Sequence, residues 1–125
     1  MHIPGLTNAF LAGAAIAARR ITKHGAADGE ALQAAAATDA LNGISTDIPT
    51  AAGMTVDVTR SGLAAVEYGG AVAAGQPLTA DAQGRAVAAA PAAGANVRII
   101  GFAEVSGVLG DIGSVWIAPG VIQGA

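Results

Sequence analysis

The sequence reads as an all-β protein, a small antiparallel barrel or sandwich, on three observations. Glycine and proline interrupt the chain about every ten residues, a spacing that suits many short strands better than long helices. Thr55-Val56-Asp57-Val58-Thr59-Arg60 alternates polar and apolar side chains strictly, as a strand with one buried face does. Ser114-Val115-Trp116-Ile117 is a short, more continuously apolar run, which fits a strand buried on both faces or lying at an interface.

Taken in order, the chain opens with an extended arm, residues 1–15, and continues as one β-domain, residues 16–125. The apolar run from Phe10 to Ala18 resembles a signal-peptide core. Its charge order is reversed, however, because Arg19-Arg20 follow the run instead of preceding it. Strands are expected at Ile16–Lys23, Thr55–Arg60, Leu63–Tyr68, Arg85–Ala89, Val97–Val105 and Ser114–Ala118. The alanine-rich segment from Glu30 to Leu41 has high helix propensity but no large apolar face to bury. It is expected to start as a strand and to end in one short helical turn at Thr38–Leu41. Asp81-Ala82-Gln83-Gly84 has Asp opening and Gly closing a turn, which suits type I geometry, and Pro77 presets an extended or turn entry. Ala90–Ala95 reads as a loop.

The glycines also suggest an internal repeat. Gly43 and Gly62 are separated by the same interval as Gly101 and Gly120, and an alternating strand lies inside each pair. Asp28-Gly29-Glu30-Ala31 parallels Gln83-Gly84-Arg85-Ala86. The reading is two pseudo-repeated strand-turn-strand units packed into one barrel or sandwich.

Composition excludes several functions. Of 125 residues, 33 are alanine and 18 glycine, and only 12 % are charged, against about 25 % in an average soluble domain. The ten Val, ten Ile and seven Leu suffice for one core. The absence of cysteine removes disulfides, CxxC redox centres and thiolate zinc sites. A net charge of -3 argues against direct nucleic-acid binding, and four scattered aromatics make no base-stacking platform. No apolar run reaches the roughly 18 residues of a membrane helix. The sparse charge leaves too few ionic groups for a full polar shell, so part of the surface is expected to be covered by other chains.

A search for chemistry finds none that closes. His2 and His24 are far apart in sequence and fall short of a metal ligand set. Most carboxylates sit at turns or strand ends. Asp57 and Glu67 lie on strands expected to be adjacent, but a glycosidase pair would need an aromatic-lined cleft. Gly107-Val108-Leu109-Gly110-Asp111-Ile112-Gly113 does not match G-x-G-x-x-G and reads as a glycine-rich loop between strands. No catalytic residue, metal or cofactor is expected. Arg19, Arg20 and Lys23 are the nearest approach to a basic patch; they read first as an ordinary solvated face, with a contact for an acidic protein surface as the alternative. On a strand Arg19 and Arg20 would point to opposite faces.

The order of these motifs points further. Val66-Glu67-Tyr68-Gly69-Gly70-Ala71-Val72-Ala73-Ala74-Gly75-Gln76-Pro77-Leu78-Thr79-Ala80-Asp81-Ala82-Gln83-Gly84-Arg85-Ala86-Val87 resembles the small capsid cement, or head decoration, proteins of tailed bacteriophages. Ile99-Ile100-Gly101-Phe102-Ala103-Glu104, Gly110-Asp111 and Ile117-Ala118-Pro119-Gly120 resemble the C-terminal half of that family. Ile16 to Gly25, and Ala36 to Asp39 leading into Gly43-Ile44-Ser45, are similar as well, so the likeness covers nearly the whole chain. It implies a non-enzymatic virion protein on the outer surface of the capsid. Its partners would be the major capsid protein and further copies of itself, with a trimer favoured. The arm residues Ile3, Pro4, Leu6, Phe10 and Leu11, with Arg19 and Arg20, are the expected capsid or subunit contacts. Competing readings are a phage tail or baseplate component, a small β-barrel enzyme, and a biotinyl or lipoyl carrier. The carrier reading suffers because Lys23 is the only lysine.

Overall fold

Among the described residues, 3–125, the computed structural model holds eleven strands and no helix. They are β1 (Ile3–Pro4), β2 (Thr7–Ala12), β3 (Ile21–His24), β4 (Glu30–Gln33), β5 (Leu41–Ser45), β6 (Thr55–Thr59), β7 (Gly62–Glu67), β8 (Pro77–Ala80), β9 (Ala86–Ala88), β10 (Asn96–Ala103) and β11 (Ile112–Gln123). Strands β2-β4-β3-β5-β6 close into a barrel, and β1-β7-β11-β10-β8-β9 form a six-stranded sheet. The all-β barrel expectation is met.

Turn chemistry starts the hairpins. The Asp81 carboxylate accepts the N–H groups of Gln83 and Arg85, each at 2.9 Å, and its other oxygen lies 3.0 Å from Arg85 Nε. Gly84 closes that turn with φ of 73°, a conformation a Cβ would penalise. Asp39 makes a comparable turn where a helical turn was expected. Its carboxylate accepts the N–H groups of Ala35 and Ala36 and lies 3.3 Å from Lys23 Nζ. Burial alone would raise the Asp39 pKa, but these amides and Lys23 outweigh it and hold the group below its ordinary value. With no large apolar residue between Leu32 and Leu41, the segment has nothing to bury as a helix. It runs as β4 and a turn instead.

The repeat is real, and larger than the expected strand-turn-strand unit. If β1 is set aside, the sheet order β7-β11-β10-β8-β9 retraces the barrel order β2-β6-β5-β3-β4. Leu11 and Ala12 pair in parallel with Glu30 and Ala31, and Tyr68 bridges Ala86 in parallel. The bridge of Ile16 to Thr50 recurs as Val72 to Gly107. Gly29 and Gly84 occupy the same hairpin turn, with φ of 77° and 73°. Gly43 and Gly101 are counterparts on β5 and β10, and a Cβ at either would overlap a cross-strand carbonyl oxygen, of Thr59 or Trp116. Gly62 and Gly120 are not counterparts, since one opens β7 and the other lies inside β11.

The units differ in closure. In the first, the Leu11 N–H bonds directly to the Gly29 carbonyl oxygen at 2.9 Å. In the second, the segment Arg19 to Ile21 of the first unit is inserted at the corresponding seam. The Glu67 N–H donates to the Arg19 carbonyl oxygen at 3.0 Å, and the Ile21 N–H to the Gly84 carbonyl oxygen at 2.7 Å. Arg20 reinforces the splice through Glu67 at 3.3 Å and the Gln83 carbonyl oxygen at 2.9 Å.

Two apolar clusters follow from this layout. Ala12, Ile16, Ala31, Val56 and Val58 fill the barrel, with Phe10 packed against them. The larger cluster joins the inner face of the sheet, including Val66, Leu78, Ile100 and Val115, to Ile21, Leu41 and Ile44 of the barrel. Tyr68 is its largest fully buried side chain. The phenol donates to the Val105 carbonyl oxygen at 2.7 Å, and its ring occupies space that a Cβ on Gly107 or Gly113 would need. Burying an aromatic of this size contributes on the order of 3 kcal/mol.

Several local expectations are corrected. Asp57 and Glu67 lie in different sheets, on β6 and β7, and do not face each other. Residues 7–12 of the expected arm are a barrel strand, and Ile3–Pro4 pair with β7. Ser114–Ile117 is not buried on both faces, since Trp116 is 55 % exposed.

Candidate contact surface

The outer face of the six-stranded sheet carries a cross-strand apolar row. Directly opposed residues in a sheet point to the same side. The register opposes Ile3 to Leu63, Leu63 to Trp116, Trp116 to Phe102, and Phe102 to Pro77. The row therefore crosses β1, β7, β11, β10 and β8. Its inward-facing neighbours Ala64, Val66, Val115 and Leu78 are fully buried. Ile3 and Trp116 are exposed, and Leu63, Phe102 and Pro77 are half-buried. The Phe102 and Trp116 rings lie 6.4 Å apart at 46°.

The repeat shows what such a row does when it is covered. Its counterparts in the first unit are Thr7, Thr59, Ile44 and Ile21, opposed in the same way. Thr59, Ile44 and Ile21 are buried, and both isoleucines pack into the large cluster beneath the second unit. One repeat's outer row is thus an interface within the chain, while the other's is open and richer in aromatic surface.

The expected contact residues divide. Ile3 is part of the row, and Pro4 sits beside it opposite Gly62. Leu6 is exposed at the turn to β2, where its N–H bonds Ser61 Oγ at 2.7 Å. Leu11 is exposed on the barrel. Phe10 is packed against the barrel core, with Arg60 5.7 Å from its ring centroid and His24 edge-on at 6.3 Å. Arg20 is consumed by the splice. Arg19 lines a pocket of about 260 Å³ with Ser45, Thr46, Asp47 and Ala65. Sequence reasoning missed Leu63, Pro77, Phe102 and Trp116. The missed signal was period two: with Val115 and Ile117 inward, Trp116 must point out.

Among the described residues, no group of three or more His, Asp or Glu side chains is placed to hold a metal ion. No family model matches the chain, and no curated protein does. Among solved structures, the N base of head fiber gp8.5 of bacteriophage phi29 has a similar fold. The TM-score is 0.68, with 19 % identity, over 90 % of this chain and 93 % of that one.

Proposed function

We propose that this chain is a structural protein of a phage virion, attached to the outer surface of the head, where it stabilises the major capsid lattice as a decoration protein. The fold it shares with a head fiber base over 90 % of its length carries the reading. The open row from Ile3 to Pro77 supports it, because an apolar face with two aromatic rings is what a docking surface needs. Many copies attached across subunit seams gain avidity without any one strong contact. A homotrimer is the assembly proposed, and the role is non-enzymatic.

A second reading is favoured by the same likeness: the chain would be the base on which a head appendage stands. Cryo-EM of virions separates the two. The decoration reading expects density for this chain over many lattice positions of expanded heads. Density only beneath a projecting fiber would favour the base, and density confined to the tail would overturn both.

A further inference from the structure

Arg19 is the one described non-glycine residue with positive φ, at 55°. Its counterpart in the second repeat is Gly75, with φ of 88°. The equivalence is fixed by hydrogen bonding at the next residue: the Ser45 N–H donates to the Arg20 carbonyl oxygen as the Ala103 N–H does to that of Gln76, at 2.8 and 2.9 Å. Glycine meets the backbone demand without strain, so the fold does not require arginine there. A residue kept in this conformation points to a use for its side chain.

The side chain is free to serve. Arg20, Lys23 and Arg85 each have a carboxylate partner, and Arg60 Nε bonds the Asn42 carbonyl oxygen. The Arg19 guanidinium, among the described residues, has neither a hydrogen bond nor an ion pair. It lines the 260 Å³ pocket at the junction of the two units. That volume is below the usual range for small-molecule sites and suits a single side chain. The unused donors form a fork matched to a planar anion. Asp47 in the same pocket repels a dianion such as phosphate more strongly than a monoanion. The backbone around Arg19 is held on both sides, by Thr46 and by Glu67, so the fork is presented from a rigid base.

We infer that the Arg19 pocket anchors one carboxylate side chain, an Asp or Glu, of the protein surface on which this chain docks. The inference rests on the head-binding reading above and names a point of attachment within it. The test compares wild type, Arg19→Gly and Arg19→Lys for thermal melting and for co-sedimentation with expanded heads of the chain's own phage. Arg19→Gly should melt at the same or a higher temperature and bind heads about tenfold more weakly or worse. Arg19→Lys keeps the charge but loses the fork, and should fall between. If wild type binds and Arg19→Gly binds equally well, the anchor is overturned and head binding stands. If wild type does not bind heads, the head reading itself fails. An independent arm follows the Arg19 Nε–H resonance during titration with acetate and with inorganic phosphate. A saturating response to acetate is expected. A stronger response to phosphate overturns the carboxylate assignment, and no response to either overturns the anion site.

Discussion

Tyr68 concentrates the chain's side-chain chemistry in one buried phenol. Its ring fills space left by Gly107 and Gly113, and its hydroxyl ties down the Val105 carbonyl in the loop before β11. Tyr68→Phe should cost about 1 kcal/mol, read as a lower urea midpoint, because the Val105 acceptor loses its partner. Burial raises the phenol's pKa above its ordinary 10.0; the Ser114 contact opposes the shift and the Asp111 charge adds to it. The unfolded chain releases this proton near pH 10, whereas the folded chain holds it longer. The Tyr68 contribution to stability is therefore fully present below about pH 10 and is lost as pH rises beyond it. Tyr68 is the only tyrosine, so phenolate absorbance reads the titration directly. An ordinary Tyr68 titration near pH 10 in the folded protein would contradict the assignment. The same alkaline loss of stability in wild type and Tyr68→Phe would trace it to another group.

Glycine acts differently from strand to strand. At Gly101 a Cβ would overlap the Trp116 carbonyl oxygen, where β10 and β11 break register. Gly101→Ala should cost about 1–3 kcal/mol or more, since a backbone atom cannot swing aside. Gly70→Ala meets nothing within 4 Å and should stay within about 0.5 kcal/mol. Equal melting temperatures for the two variants would refute the packing account. The contrast also shows what was legible in the sequence. Strands with alternating side chains, such as β6, and turns with their own chemistry, such as Asp81 to Gly84, could be read locally. Strand β2 could not, because Phe10-Leu11-Ala12 has no polar alternation and looks like an arm until β4 and β6 pair with it. Nor could the open row, which exists only once five strands are in register. The glycines pointed to a duplication, and Gly43 with Gly101 and Gly29 with Gly84 were true counterparts, but Gly62 and Gly120 were not; strand order had to supply the rest.

At the scale of the molecule, duplication has produced two unlike halves. The first repeat spends its outer row on the second, and the second leaves its row open. Trp116→Ser should change stability by less than about 1 kcal/mol, as an exposed site, yet weaken head binding about tenfold or more. Because Trp116 is the only tryptophan, its emission should move to shorter wavelength on attachment. Unchanged emission on saturated heads would remove the row from the interface. The splice has a mechanical meaning as well. Arg19 to Ile21 are bonded along both edges, to Glu67 and to Gly84. Drawing the halves apart must break both edges together, so a pull on the molecule loads several hydrogen bonds in parallel and spares the short Arg60–Ser61 connection. A protein built this way behaves under tension like a dovetail joint, not like two beads on a string.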